Sequence, residues 1–150
     1  MSTPNIQFTI QDIYEFHNQL EKAFILSSGV RDKNLLASAV NTPFQTFMGN
    51  DLYPSLYDKA AQLCYGIANN HPFTDGNKRT ALHSMYVYLI INGFDIAASQ
   101  QEVENLIINV AAGNMTNTEL AYWLEKNTIE IYRVIGQKVC VTNPNKLENL

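Results

Sequence analysis

The chain has 150 residues, 46% of them apolar and 11% aromatic, which is the size and composition of one folded domain with a real core and excludes a disordered chain. A net charge of −4 and a pI near 5.2 argue against a surface built mainly to grip nucleic acid or anionic lipid. No apolar run approaches the ~20 residues of a spanning helix, residues 1–10 carry no secretion signal, and the cysteines Cys64 and Cys140 form neither a disulfide framework nor a metal-ligand pair, so a cytoplasmic protein is expected.

From the N-terminus the periodicity is helical nearly throughout. Thr9 and Asp12 have capping-box spacing, Ile10, Ile13, Phe16, Leu20 and Phe24 follow at helical intervals, and Gly29 lies where that helix would stop. Asp32 starts a second helix with Leu35, Leu36, Ala39 and Val40 on one face, ended by Pro43. Residues 42–53 are irregular, and Phe44, Thr46 and Met48 alternate before Gly49-Asn50-Asp51 as in a small hairpin or an ordered loop. Ser55 caps a third helix to about Asn70, with Leu56, Ala60, Leu63, Cys64 and Ile67 as its buried stripe.

After a tight loop, a fourth helix runs from about Asn77 to Asn92, with Leu82, Met85, Tyr86, Leu89 and Ile90 inward and Gly93 as its C-cap. Ser99 with Glu102, and Thr116 with Glu119, open two short helices that Gly113 and Asn127 end. Residues 129–135 read as either helix or strand, and 142–150 as a loose tail. Strand content is at most one hairpin, and the predicted fold class is all-α. Tyr86, Tyr88, Tyr122 and Trp123 read as packing residues, His83 as a hydrogen-bonded core histidine, and His17 as a histidine of the core or one that supports the site from behind.

The chemistry is concentrated in His71-Pro72-Phe73-Thr74-Asp75-Gly76-Asn77-Lys78-Arg79-Thr80. Pro72 forces the chain off the helical path, Gly76 permits a turn that a Cβ would hinder, and a new helix begins. Its first N–H groups, at Gly76, Asn77 and Lys78, and its dipole favour an anion. Lys78 and Arg79 add positive charge at the same point, where a helix dipole disfavours cations unless an anion meets them. Asp75 is a carboxylate of the kind that holds magnesium beside a polyphosphate. His71 is a ready general base for a hydroxyl. A base, a metal carboxylate, a helix N-terminus and an arginine this close together make up a phosphoryl- or nucleotidyl-transfer site. A metal-hydrolase set of His71, Asp75 and His83 would lack a further ligand and press two cations against a third.

His-Pro-Phe-x-Asp-Gly-Asn-Lys-Arg resembles the signature of the Fic/Doc family, and the surrounding chain resembles its Doc (death on curing) branch. Residues 13–17, Gly29-Val-Arg-Asp32, Leu35-Leu36-x-Ser-Ala-Val40, Tyr53-Pro-Ser-Leu56, Lys59-Ala60-Ala61 and Asn92-Gly93-Phe94 carry the likeness. It extends over roughly residues 8–124. The resemblance implies a Fic-like helical bundle in residues 1–127, with residues 128–150 as an extension. It also implies that His71 is the catalytic base, Asp75 the magnesium ligand, Gly76, Asn77 and Lys78 the anion hole, Arg79 a phosphate-binding residue, and Phe73 a buried anchor. Residues 42–53, with Phe44, Thr46, Phe47 and Met48, correspond to the flap that holds the target by strand-like pairing.

Two departures bear on the chemistry. Adenylyl-transferring members read Gly-Asn-Gly-Arg-x-x-Arg, where this chain has Lys78 for the second glycine and Leu82 for the second arginine. Both resemble the Doc branch, which uses Mg-ATP to phosphorylate a Ser or Thr hydroxyl. Gly76 departs the other way, since Doc toxins have alanine there, and keeps adenylylation open. An inhibitory Ser/Thr-x-x-x-Glu-Gly/Asn helix is missing: Glu104-Asn105 is preceded by Gln100 and Glu148-Asn149 by Pro144. The resemblance therefore implies an antitoxin in trans, a translation factor such as elongation factor Tu as target, and no membrane or direct nucleic-acid partner. A Fic-like module that binds nucleotide or partner without turnover is the rival class.

Overall fold

The computed structural model describes residues 6–24, 29–133 and 139–141; the tail read at 142–150 lies outside them. Local side-chain chemistry starts most of the helices. In α1 (Ile10–Phe24) the Thr9 N–H donates to the Asp12 carboxylate at 2.8 Å and the Asp12 N–H to the Thr9 hydroxyl at 3.2 Å. The Asp32 carboxylate accepts from the Asn34 and Leu35 amides to start α2 (Lys33–Asn41). A short 3₁₀ turn, Thr42–Phe44, containing Pro43 ends α2. Full capping boxes open α3 (Leu56–Asn70), from Ser55 and Asp58, and α6 (Asn117–Asn127), from Thr116 and Glu119. At α5 (Gln100–Ala111) the Ser99 hydroxyl accepts from the Glu102 amide. Each such cap satisfies amides that a helix otherwise leaves orphaned, at about 1 kcal/mol apiece.

Helix α3 is the centre of the core. Ala60, Ala61, Leu63, Cys64, Ile67 and Ala68 are all buried along it, and it packs against α2, α6 and α4 (Asn77–Ile91). Gly66 sets the α2 approach: a Cβ there would lie 3.2 Å from both Cα and Cβ of Ala39. Burial pushes the Cys64 thiol up to about 12, so it behaves as a small apolar group.

The inward face of α4 differs from the predicted stripe. Ala81, Ser84, Met85, Tyr88 and Leu89 are buried, while Leu82, Tyr86 and Ile90 are only half-buried. The helix is apolar on several sides, so periodicity alone does not choose the face that meets α1 and α3. Tyr122 is 63% exposed, so its place in a packing stripe does not hold.

Strand content also exceeds the single expected hairpin. The first pair, β1 (Thr46–Phe47) and β2 (Asn50–Asp51), is antiparallel, with Thr46 opposite Asp51. Met48 at φ 51° and Gly49 at φ 79° give the two left-handed residues of a tight hairpin turn. A second, three-stranded antiparallel sheet has the order β3 (Phe94–Ile96), β4 (Thr128–Arg133), β5 (Val139–Val141). The ambiguous segment is thus a strand through Arg133, its last two residues lying outside the described ones: Phe94 pairs with Glu130 and Ile96 with Thr128. The Ile131 amide donates to the Gly93 carbonyl at 2.8 Å, and Ile131 is buried. Residues 128–131 therefore pair with the body of the fold. No helix among the described residues is long and apolar enough to cross a membrane.

Candidate active site

The signature loop joins the end of α3 to the start of α4. His71, at φ 49° and ψ 55°, takes the left-handed C-cap position of α3, and Pro72 then forbids further helix. The segment 29–32 pins the loop. The Arg31 and Asp32 amides both donate to the Pro72 carbonyl, at 2.7 and 3.1 Å, and the Thr74 amide donates to the Gly29 carbonyl at 3.1 Å. The Arg31 guanidinium reaches across to the last carbonyls of α3, Nε to His71 at 2.8 Å and Nη2 to Asn70 at 3.0 Å. Inside the loop Phe73 is buried, and its ring stacks on that of His17 at 3.8 Å and 5°. Asn77 grips Phe73 from the other side: its carbonyl oxygen accepts from the Phe73 amide at 3.0 Å and its amide donates to the Phe73 carbonyl at 2.9 Å.

Helix α4 begins at Gly76, whose φ of 76° is in the left-handed region. No side chain caps it. The Gly76 amide donates to the Asp75 carboxylate at 2.7 Å, so this amide, read from sequence as free, is satisfied within the loop. The orphan donors are the amides of Asn77, Lys78 and Arg79, because the first intrahelical bond runs from the Thr80 amide to the Gly76 carbonyl. Asp75, Lys78 and Arg79 are exposed around them. The Arg79 guanidinium rests over the Phe24 ring, 4.1 Å from its centroid, a cation–π contact that keeps the charge at the rim.

The loop opens onto a groove of about 1930 Å³ lined by His71, residues 74–79 and the walls of α4 and α5. Such a volume exceeds the ~300–1,000 Å³ of common small-molecule pockets. Leu82 and Tyr86 pack against the edge of the core and also line this groove, together with Ile107 and Ile108 of α5. His83 also lines it, its ring edge 5.0 Å from that of Phe16, and burial lowers its pKa. It therefore adds little positive charge at neutral pH beside Lys78 and Arg79. Burial, reinforced by the Asp95 carboxylate, pushes the Tyr86 phenol up to about 12.

The residues fit a magnesium–triphosphate ligand. Among the described residues no three His, Cys, Asp or Glu side chains converge as a metal cage, and a single exposed carboxylate beside orphan amides is what magnesium uses when phosphate oxygens and water complete its shell. The loop brings His71, Asp75, Gly76, Asn77, Lys78 and Arg79 together on one groove. The hairpin residues do not act as one unit. Phe47 and Met48 are 66% and 84% exposed and Thr46 is also exposed, whereas Phe44 lies in the 3₁₀ turn and packs its ring on Tyr88.

Sequence reasoning missed what supports the loop. The sequence allows His17 either a core or a site-supporting place without naming its partners, and it announces no role for Glu21 or Arg31. A basic side chain bonding the last carbonyls of a helix is a known capping device, but here it comes from a distant segment, so no local spacing announces it.

Comparison with known proteins agrees with this geometry. The protein described as Toxin Doc of Mycolicibacterium smegmatis is 46% identical over 84 residues, which is 55% of this chain and 65% of that protein. The chain thus matches slightly less than two thirds of that relative's length. The model of the Fic/DOC family matches residues 7–89, which takes in α1 to α3, the hairpin, the loop and most of α4. More than half of the chain, including the whole loop from His71 to Arg79, is covered, and the chain belongs to the Fic/DOC family.

Proposed function

We propose that this chain is a Doc-type toxin, active in the cytoplasm, that transfers the terminal phosphate of Mg-ATP to a Ser or Thr hydroxyl of a protein target such as the translation factor elongation factor Tu. The observation that carries the reading is the start of α4: among the described residues it is the one α-helix whose first turn has no side-chain cap, left with three orphan amides and carrying two cations. A terminal phosphate is the anion that such an end accommodates. The kinship to a protein named Toxin Doc supports the same branch. The Fic/Doc unit is placed at residues 1–127, with 128–150 as an extension.

The roles follow from position. His71, exposed on the lip, takes the proton of the attacking hydroxyl at a ring nitrogen, a contribution of about 10²- to 10⁴-fold. The amides of Asn77, Lys78 and Arg79 hold phosphate oxygens where negative charge develops. Lys78 meets the terminal phosphate, and Arg79 swings from Phe24 to bind a phosphate edge with its planar fork. Asp75 supplies one carboxylate to magnesium, which when bound neutralises phosphate charge. The exposed strand β1, with Thr46, Phe47 and Met48, offers main-chain groups to an extended segment of the target. The remaining groove, with Leu82, Tyr86, Ile107 and Ile108 on its walls, is large enough for an antitoxin segment that silences the site in trans.

Adenylyl transfer is the second reading, favoured by Gly76: at φ 76° the glycine leaves the turn open to a diphosphate. Intact mass of the modified target separates them, a phosphate adding about 80 Da and an adenylyl group about 329 Da. Binding of ATP with no mass change on any target would leave a non-catalytic module.

A further inference from the structure

We propose that His17 is a positioning residue of the active-site loop: with Glu21 and Gly29 it closes a hydrogen-bonded circuit that fixes the main chain of Asp75 and thereby aims its carboxylate. The inference rests on Asp75 being the magnesium ligand of the function proposed above. His17 is 1% exposed, at the middle of α1. Its Nε2–H donates to the Asp75 carbonyl at 2.7 Å. With that nitrogen committed as donor, Nδ1 lies 2.9 Å from Glu21 Oε1, a separation that requires a shared proton between them. The same Glu21 oxygen accepts from the Gly29 amide at 3.1 Å, and the Gly29 carbonyl accepts from the Thr74 amide at 3.1 Å. Thr74 is bonded to Asp75, so the circuit closes.

A histidine that only filled space would not need this. Its ring lies flat on Phe73, and a phenylalanine could occupy that position. What a phenylalanine lacks is the donor to Asp75 and the tie to Glu21. The loop's other bonded main-chain groups are held by the loop itself or by the segment 29–32: Phe73 by Asn77, the Gly76 amide by the Asp75 carboxylate, Thr74 by Gly29, and the Pro72 carbonyl by the Arg31 and Asp32 amides. The Asp75 carbonyl is held by a side chain from α1, which makes His17 the link between that helix and the metal-binding edge. Outer partners of this kind orient a ligand without touching the metal, and losing them costs metal affinity or activity about 10- to 100-fold.

The test uses the full chain with His17→Phe and His17→Gln. His17→Phe keeps the stacking and removes both hydrogen bonds; His17→Gln restores a donor of similar reach towards Asp75. The expected results for His17→Phe are a melting temperature close to the parent's and amide exchange at residues 73–77 faster by an order of magnitude or more, with α3 and α5 still protected. The magnesium concentration for half-maximal transfer should rise about 10-fold, with the KM for ATP at saturating magnesium little changed. His17→Gln should recover most of both effects. Parental exchange in the loop of a folded His17→Phe protein, or loss of protection spread evenly over α1, α3 and α5 in both variants, would overturn the inference. If the parent transfers nothing, the proposed function fails, while the exchange data still decide the role of His17.

Discussion

The beginnings of α4 and α6 meet the same physical demand in opposite ways. Both helices leave amides without intrahelical partners. At α6, Thr116 and Glu119 close the end reciprocally, and α3 does the same with Ser55 and Asp58. At α4 the cap is a glycine without a side chain, and the next two exposed residues are cations that the helix dipole repels. A closed end contributes to stability alone. An open, cation-bearing end is weaker as structure and suited to an external anion.

The strongest attempt to break this contrast is His71→Ala. The side chain is exposed, so the fold should persist while transfer falls by about 10²-fold or more. Parental rates in a folded His71→Ala protein would remove the chemistry from this end. Phe73→Ala should do the reverse. The ring is 1% exposed and stacked on His17, and its loss should cost about 3–5 kcal/mol of stability, visible as a lower denaturant midpoint, with activity falling only as the loop loosens.

Lys78→Gly sharpens the comparison at the open end itself. The lysine is exposed, and removal of a repelled cation offsets the lower helix propensity of glycine, so thermal stability should change little. The rate of terminal-phosphate transfer should drop about 10-fold, the loss of one charged hydrogen bond. A gain in adenylyl product in the same intact-mass assay would shift the reading towards nucleotidyl transfer.

The contrast was largely legible in the sequence, because capping is local chemistry. Thr9 with Asp12, Ser55, Ser99 and Thr116 with Glu119 stand at the predicted helix starts, and His71, Asp75, Lys78 and Arg79 of the groove come from one short stretch of chain. What escaped was set by tertiary contacts. His17 and Arg31 reach the loop from distant segments, and β3 is only three residues long, recognisable as a strand once β4 lies beside it. Helix α4 faces both the core and the groove with apolar side chains, so Leu82 and Tyr86 could not be told from Met85 and Tyr88 by period. The hidden status of the Gly76 amide has the same origin: the rotamer of Asp75 decides it.

Thr116→Ala should give the smallest effect and the cleanest contrast. Removing the hydroxyl leaves the Glu119 amide unpaired, a loss of about 1 kcal/mol, equivalent to a melting shift of roughly 2–5 °C for a domain this size. Transfer should be unchanged, because α6 does not line the groove. Cys64 offers an internal readout. Its thiol, pushed up to about 12 from 9.0 by complete burial, stays protonated and shielded at pH 8, so alkylation at this residue requires opening of the core. Faster Cys64 alkylation in Thr116→Ala with parental transfer rates would locate the cap in stability alone. The sign of the linkage adds a pH check. Because the unfolded thiol ionises near 9.0 and the folded one only near 12, Cys64 favours the folded chain less and less as pH rises between those values, and the destabilised variant should unfold first on that alkaline limb.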